Sequence, residues 1–259
     1  MHLNIVPPRT GLLWVRLGIQ SFFRQPLALT GLFFLSTAAM KLVSMLPLVG
    51  GALTALLLPA ASLGLMLATK DASEGRFPMP AVLITGFRSG RGEARDMLIL
   101  GLICAASFTL MGAIADLFGR GAQTLAVPAD GNMTPEVLLQ VLLHPANLVY
   151  TLLSIPLSLM FWHAPALVHW HGQPPLKSLF FSLVACGRNF LALSVLGLGW
   201  FGVLVLVYIP VTLLGVMAGN FSFMTSLVVT VTVLISAMMY ASVYFTFRDS
   251  FQAAPGENP

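Results

Sequence analysis

The chain has 259 residues, 57% of them hydrophobic and only 8% charged, where a soluble domain carries about a quarter charged residues. Too few ionic side chains remain to cover a water-facing surface, and the mean hydropathy of +0.89 agrees, so soluble enzymes are excluded and the chain reads as an all-α integral membrane protein. The net charge of +4 reads as loop charge that sets topology. It is not a nucleic-acid footprint, because no solvated basic domain is present to hold a duplex.

Ahead of the first strongly apolar run, Leu12, Val15, Ile19, Phe22 and Phe23 recur at helical spacing, while Arg16, Gln20 and Arg24 mark the opposite face. Residues 9–25 are predicted to form an amphipathic helix lying in the cytoplasmic headgroup layer, with Trp14 as an interface anchor. A frayed cytoplasmic extension of the first span is the alternative. Pro26 then turns the chain into the membrane. The run behind it lacks a small-residue cleavage site, so it is expected to remain as a span, not to be removed as a signal peptide.

A bilayer core about 30 Å thick needs roughly 20 helical residues at about 1.5 Å each. Six stretches qualify: 27–46, 48–69, 97–118, 148–168, 190–217 and 221–247. The runs are continuously apolar and do not alternate, which favours helices over barrel strands. Pro47 with Gly50-Gly51 breaks the chain between spans one and two, and Gly219-Asn220 does so between five and six. The predicted architecture is one six-helix transmembrane bundle over residues 1–259 with both termini on one side, ending in a disordered tail at 249–259.

Lysine and arginine assign the sides. Arg9, Arg16, Arg24, Lys70, Arg76, Arg88, Arg91, Arg95, Lys177, Arg188 and Arg248 all fall on the termini-bearing side. Arg120 stands alone on the other, and Lys41 lies within span one. The positive-inside rule then places both termini in the cytoplasm of a bacterial inner membrane. Residues 119–147 become the periplasmic loop, where Thr134-Pro135-Glu136 opens a short helix over Val137–Leu143.

The two larger cytoplasmic loops share a pattern at a shift of 97 residues. Pro59 falls on Pro156, Gly75 on Gly172, Pro78 on Pro175, and Gly90-Arg91 on Gly187-Arg188. Between these marks Met79, Val82, Leu83 and Phe87 match Leu176, Leu179, Phe180 and Val184 in spacing. Each loop is predicted to carry an interfacial amphipathic helix, making three with the N-terminal one. A parallel internal repeat would relate spans two–three to spans four–five, with chance likeness as the other reading. Arg16, Arg24, Arg91 and Arg188 are the expected contacts to anionic phospholipid headgroups.

Histidines 163, 169 and 171, interleaved with Trp162 and Trp170, are the candidates for metal or haem ligation. His163 and His171 share a helix face but sit about 12 Å apart along it, while His169 points elsewhere. Interfacial tryptophans beside loop histidines are the plainer reading, and no cofactor is expected. Lys41 and Asp116 are the intramembrane polar candidates, near the outward ends of their helices, with a salt bridge or snorkelling as their roles. Pro59, Pro156 and Pro210 lie inside spans, where they kink a helix or line a cavity. Cys104 and Cys186 read as packing residues rather than a disulfide. The sequence contains no phosphate-cradling glycine loop, HExxH, GxSxG or CxxC, so no enzymatic activity is expected.

The start Phe22-Phe23-Arg24-Gln25-Pro26, the turn Pro47-Leu48-Val49-Gly50, Leu58-Pro59 with Gly64-Leu65-Met66, and Gly75 before Phe87-Arg88-Ser89 together resemble an uncharacterised family of six-span inner-membrane proteins of β-proteobacteria. More distantly, the chain is similar to the membrane domain attached to some glycerophosphodiester phosphodiesterases. The resemblance implies a fold and a location and transfers no catalytic residue. A phosphodiesterase domain is absent from this sequence, so that activity is not inferred. The expected role is a non-enzymatic accessory or scaffold in envelope or lipid homeostasis, or in assembling a membrane-protein partner. The alternatives are a small-solute permease or channel, with serines 62, 154 or 158 lining its cavity, and a metal- or haem-binding membrane protein.

Overall fold

The computed structural model describes residues 2–120, 135–219 and 221–252. Ten α-helices are found among them: α1 (Thr10–Arg24), α2 (Pro26–Ser44), α3 (Gly50–Ser73), α4 (Thr85–Arg88), α5 (Arg91–Gly119), α6 (Pro135–Leu143), α7 (Pro145–His171), α8 (Pro175–Arg188), α9 (Phe190–Met217) and α10 (Phe221–Ser250). The helices α2, α3, α5, α7, α9 and α10 are long and apolar enough to cross a membrane. All six expected spans are therefore helical. The third begins earlier than expected, since Gly90 caps it and the charged turn Arg91–Asp96 adds helix beyond the apolar stretch.

Proline and glycine set many of the boundaries. Pro26, Pro145 and Pro175 each open a helix, where the missing N–H would have no partner anyway. Gly172 closes α7 in the left-handed conformation (φ 57°), its N–H reaching the Val168 carbonyl. The expected helix after position 134 is α6. Its proposed cap Thr134 lies outside the described residues, as does most of the loop before it.

The ends of the chain correct the expected tail. His2–Leu3 (β1) pairs antiparallel with Phe251–Gln252 (β2), so the N- and C-terminal segments lie side by side. Residues 249–252 are thus part of the ordered structure, while 253–259 lie outside the described residues. Asn189, buried between α8 and α9, locks this clasp. Its Oδ1 accepts the Val6 N–H at 2.9 Å, and its Nδ2 donates to the Asn4 carbonyl and to Ser250 Oγ.

The first helix is also corrected. It is amphipathic, but its buried face is Gly11, Trp14, Val15, Gly18, Ser21 and Phe22, packed on α9 and α10. Leu12 and Phe23, expected on the apolar stripe, are exposed. Trp14 is fully buried and is no headgroup anchor. The reason is glycine: a Cβ at Gly11 would strike the Ala192 carbonyl, and one at Gly18 the Ser242 hydroxyl. The absent side chains let α1 approach its neighbours backbone to backbone, an effect that apolar periodicity does not register.

The two loop helices differ from each other. The first is a 3-10 turn over Pro80–Ile84 followed by the single turn α4, with Met79 exposed. The second is the 14-residue α8. Helix α8 turns small and polar residues inward, Ser178, Ser182, Ala185 and Cys186, and leaves Leu176 and Phe180 outside. The sequence echo is not repeated in the packing either. Helix α3 packs along α5, whereas α7 packs on α5 and α8 and makes little contact with α9.

Burial concentrates at the end where the termini meet. There Trp14, Met66, Leu100, Leu167, Ala185 and Phe245 are closed off from solvent. Toward the opposite end the helices part, and in α7 the buried residues are confined to His163–Val168.

Candidate functional site

The parting of the helices leaves a crevice at the middle of the spans. A cavity of about 330 Å³ lies between α3, α5, α7 and α10, and Pro59, Ser62, Cys104, Phe108, Ser158 and Tyr240 are among its lining residues. Ser62 and Ser158 each fall halfway along their helices, which is the depth expected of a permease cavity. Ser154 does not line it; its hydroxyl donates back to the Thr151 carbonyl. A second cavity of about 430 Å³ shares Leu58 and Phe108 with the first and extends along Gly51, Thr54, Thr109 and Tyr150 toward the far end of α3. A third, about 420 Å³ between α7 and α9, shares Trp162, Met239 and Val243.

Beneath the crevice, toward the termini, a polar layer is fully engaged. His163 is buried, and its Nε2 lies 3.1 Å from Thr246 Oγ1. Thr246 also accepts the Trp162 indole N–H at 3.1 Å and donates to the Val243 carbonyl. Ser182 of α8 accepts the His163 backbone N–H and donates to the Leu159 carbonyl, so its hydroxyl bridges two backbone groups one turn apart on α7. Cys186 Sγ stands 3.8 Å from His163 Nδ1, and burial pushes its thiol up to about 12. Both cysteines are buried and free, in keeping with a packing role.

The three histidines do not converge. The ring of His169 meets Glu93 of α5 at 2.5 Å, a carboxylate that sequence spacing could not bring near. His171 lies against Phe247 and Phe251. Among the described residues no group of three or more His, Cys, Asp and Glu side chains could hold a metal ion. The intramembrane polar candidates separate as well. Lys41 and Asp116 are both exposed, and no ion pair joins them, because α2 and α5 are not packed together. Of the two roles considered for them, the salt bridge is thus not formed.

The four headgroup candidates, Arg16, Arg24, Arg91 and Arg188, are all exposed. Arg24 has a protein partner: its guanidinium donates to the Ser73 carbonyl at the end of α3, where a cation complements the helix dipole. Among the described residues Arg16, Arg91 and Arg188 form no ion pair. By contrast Arg76 pairs with Asp71 and Glu74, and these carboxylates hold its guanidinium above its usual range. Arg248 pairs with Asp249. Exposed apolar residues stand beside the free cations: Leu12, Leu13 and Phe23 near Arg16 on α1, Leu176 and Phe180 with Lys177 and Arg188 on α8.

Over 262 aligned residues the chain is 37% identical to the probable inner membrane protein BTH_II0599 of Burkholderia thailandensis, spanning 97% of this chain and 94% of that one. It belongs to that inner-membrane protein family. No family model and no solved structure matches it. As a member of the family it is a multi-pass protein of the inner membrane, with six helices fit to span it. Within this inner-membrane protein, the terminal clasp and the α1 glycine contacts were missed by sequence reasoning. Gly11 and Gly18, seven residues apart on one helix face, were the available signal.

Proposed function

We propose that this inner-membrane protein is a non-enzymatic accessory or scaffold in lipid and envelope homeostasis that holds anionic phospholipid at its termini-bearing end. Both termini are cytoplasmic in this reading, following the lysine and arginine bias. The observation that carries it is the pair of exposed arginines Arg16 and Arg188, which form no ion pair among the described residues and are interleaved with exposed apolar side chains on α1 and α8. Such a surface takes an acyl boundary and phosphates together. The same face is available to a membrane-protein partner. The test is lipid retention: replacing Arg16, Arg24, Arg91 and Arg188 with glutamine should strip phosphatidylglycerol and cardiolipin from detergent-purified protein. Retention equal to wild type overturns the reading.

A second reading, a permease or channel for a small and weakly polar solute, is favoured by one observation. The mid-span cavity lined by Ser62 and Ser158 lies against a second one, with Leu58 and Phe108 common to both walls, that extends toward the far end of α3. In a cysteine-free background, Ser62→Cys should react with a small water-soluble thiosulfonate added from the periplasmic side. No reaction there removes the passage.

A further inference from the structure

We infer that the cavity between α3, α5, α7 and α10 is a binding site for a neutral lipophile, an apolar body carrying one hydrogen-bonding oxygen, which enters sideways from the bilayer. The inference rests on the cavity of the second reading but needs no passage through it, and it is independent of headgroup binding.

The size and the walls come first. At about 330 Å³ the cavity lies in the range of small-ligand sites. Leu58, Phe108, Phe161 and Val243 make its walls apolar, and none of its lining residues is charged. An ion or a zwitterion would find no counter-charge at this depth, so the guest is neutral.

The polar groups come next. Ser62, Ser158 and Tyr240 bring three hydroxyls to one cavity from three different helices. None of the three hydrogen-bonds to a described residue, although hydroxyls such as those of Thr54, Thr69 and Ser154 bond back to their own helices. Mid-bilayer supplies no bulk water to satisfy them. A guest oxygen placed among them would gain the hydrogen bonds that lipid tails cannot offer.

The way in is lateral. Helices α7 and α10 meet through Trp162, His163 and Trp170 on one side and Thr246 and Phe247 on the other, all toward the termini. Beyond that seam Ser158, Met239 and Tyr240 are exposed. The opening therefore faces the lipid, and Trp162 forms the floor that separates this cavity from the one beside α9. A single chain with its oxygen at Ser62 and Ser158 fits that shape.

The probe is a long-chain alcohol bearing a diazirine, with the matching diazirine alkane as its control, applied to membranes holding the full chain. In wild type the alcohol should label peptides of α3, α7 and α10 more than the lipid-facing surface of α9. Ser158→Trp fills the cavity and should abolish that excess. The conservative variant Ser62→Ala with Ser158→Ala and Tyr240→Phe should lower alcohol labelling by about threefold to tenfold, the loss of one or two hydrogen bonds, and leave alkane labelling unchanged. Equal labelling of cavity and α9 peptides in wild type, or alcohol labelling untouched by the conservative variant, overturns the inference. Phospholipid retention and Ser62→Cys accessibility are read separately, so failure here leaves both earlier readings standing on their own tests.

Discussion

The indole N–H of Trp14 donates to Asp249 Oδ2 at 2.9 Å, joining two residues 235 positions apart. The bond ties the first helix to the end of the last span beside the strand pair of the termini. Trp14 is fully buried, so both its packing and its polar atom depend on this site. Trp14→Phe keeps most of the ring and leaves Asp249 Oδ2 without its indole donor, while Oδ1 keeps Arg248, and should cost about 1.5–3 kcal/mol. Trp14→Ala adds a cavity and should cost about 3–5 kcal/mol. Asp249→Asn retains an acceptor and should be the mildest of the three. Thermal unfolding in detergent checks the order, and a Trp14→Phe protein as stable as wild type would show that this half-buried bond contributes nothing.

Asn189 offers a second measure of the clasp. It is 3% exposed and serves Val6, Asn4 and Ser250 at once. Asn189→Ala strands the Val6 N–H and should cost about 1–3 kcal/mol. Hydrogen exchange should rise at Val6 and Asn4 first, ahead of the spans. Unchanged protection there would show that the terminal strands are held by something else.

The close approach of α1 gives a paired test. Gly18→Ala places a methyl against Ser242 and the Met238 carbonyl, and should destabilise by about 1–3 kcal/mol through overpacking. Gly31→Ala on α2 meets open space and should instead stabilise by about 0.5–1 kcal/mol, the helix preference of alanine. If both substitutions act alike, the contact between α1 and α10 is not as described.

These cases show what the sequence makes legible. Six spans emerge from composition alone, because lipid demands long apolar helices and little else satisfies a backbone there. Helix starts at Pro26, Pro145 and Pro175 are equally plain, since proline acts locally. Partners are another matter. The stripe Leu12, Val15, Ile19, Phe22 and Phe23 faces partly outward because lipid is as apolar as protein, so hydrophobic periodicity loses its power to say which face is inside. The inward faces of α1 and α8 instead interleave small residues, Gly11 and Gly18 on one and Ser178, Ser182 and Ala185 on the other, with a few large ones, Trp14, Phe22 and Leu179. The cavity was legible only as a condition on Ser62, Ser154 or Ser158, of which Ser154 does not line it. The pairing of His169 with Glu93 and the docking of His163 on Thr246 join distant segments, which no local spacing encodes.

Topology has a direct test in the turn between α2 and α3. Leu48 is fully exposed there, with a left-handed backbone (φ 66°). In a cysteine-free background, Leu48→Cys should react with a membrane-impermeant maleimide added to the periplasmic side of intact cells. Lys177→Cys on α8 should react only after the inner membrane is opened. The reverse pattern would place the arginine-rich end outside and contradict the cytoplasmic assignment of the termini.

Cysteine chemistry follows from burial. A maleimide is attacked by the thiolate, not the thiol. Burial raises the Cys186 thiol to about 12, the nearby Ser182 hydroxyl acting weakly in the opposite direction. At pH 8 almost no thiolate forms in the folded protein, so Cys186 should resist N-ethylmaleimide until the chain is denatured in SDS. The same shift fixes a sign for stability. The folded state holds the Cys186 proton more tightly than a free thiol with its ordinary value of 9.0. Stability from this group is therefore complete below about pH 9 and declines as pH rises toward 12. Thermal unfolding across pH 8–11 should fall more steeply in wild type than in Cys186→Ser, whose hydroxyl does not titrate there. A flat difference between the two, or rapid modification at pH 8, would mean that water reaches the contact between α7 and α8.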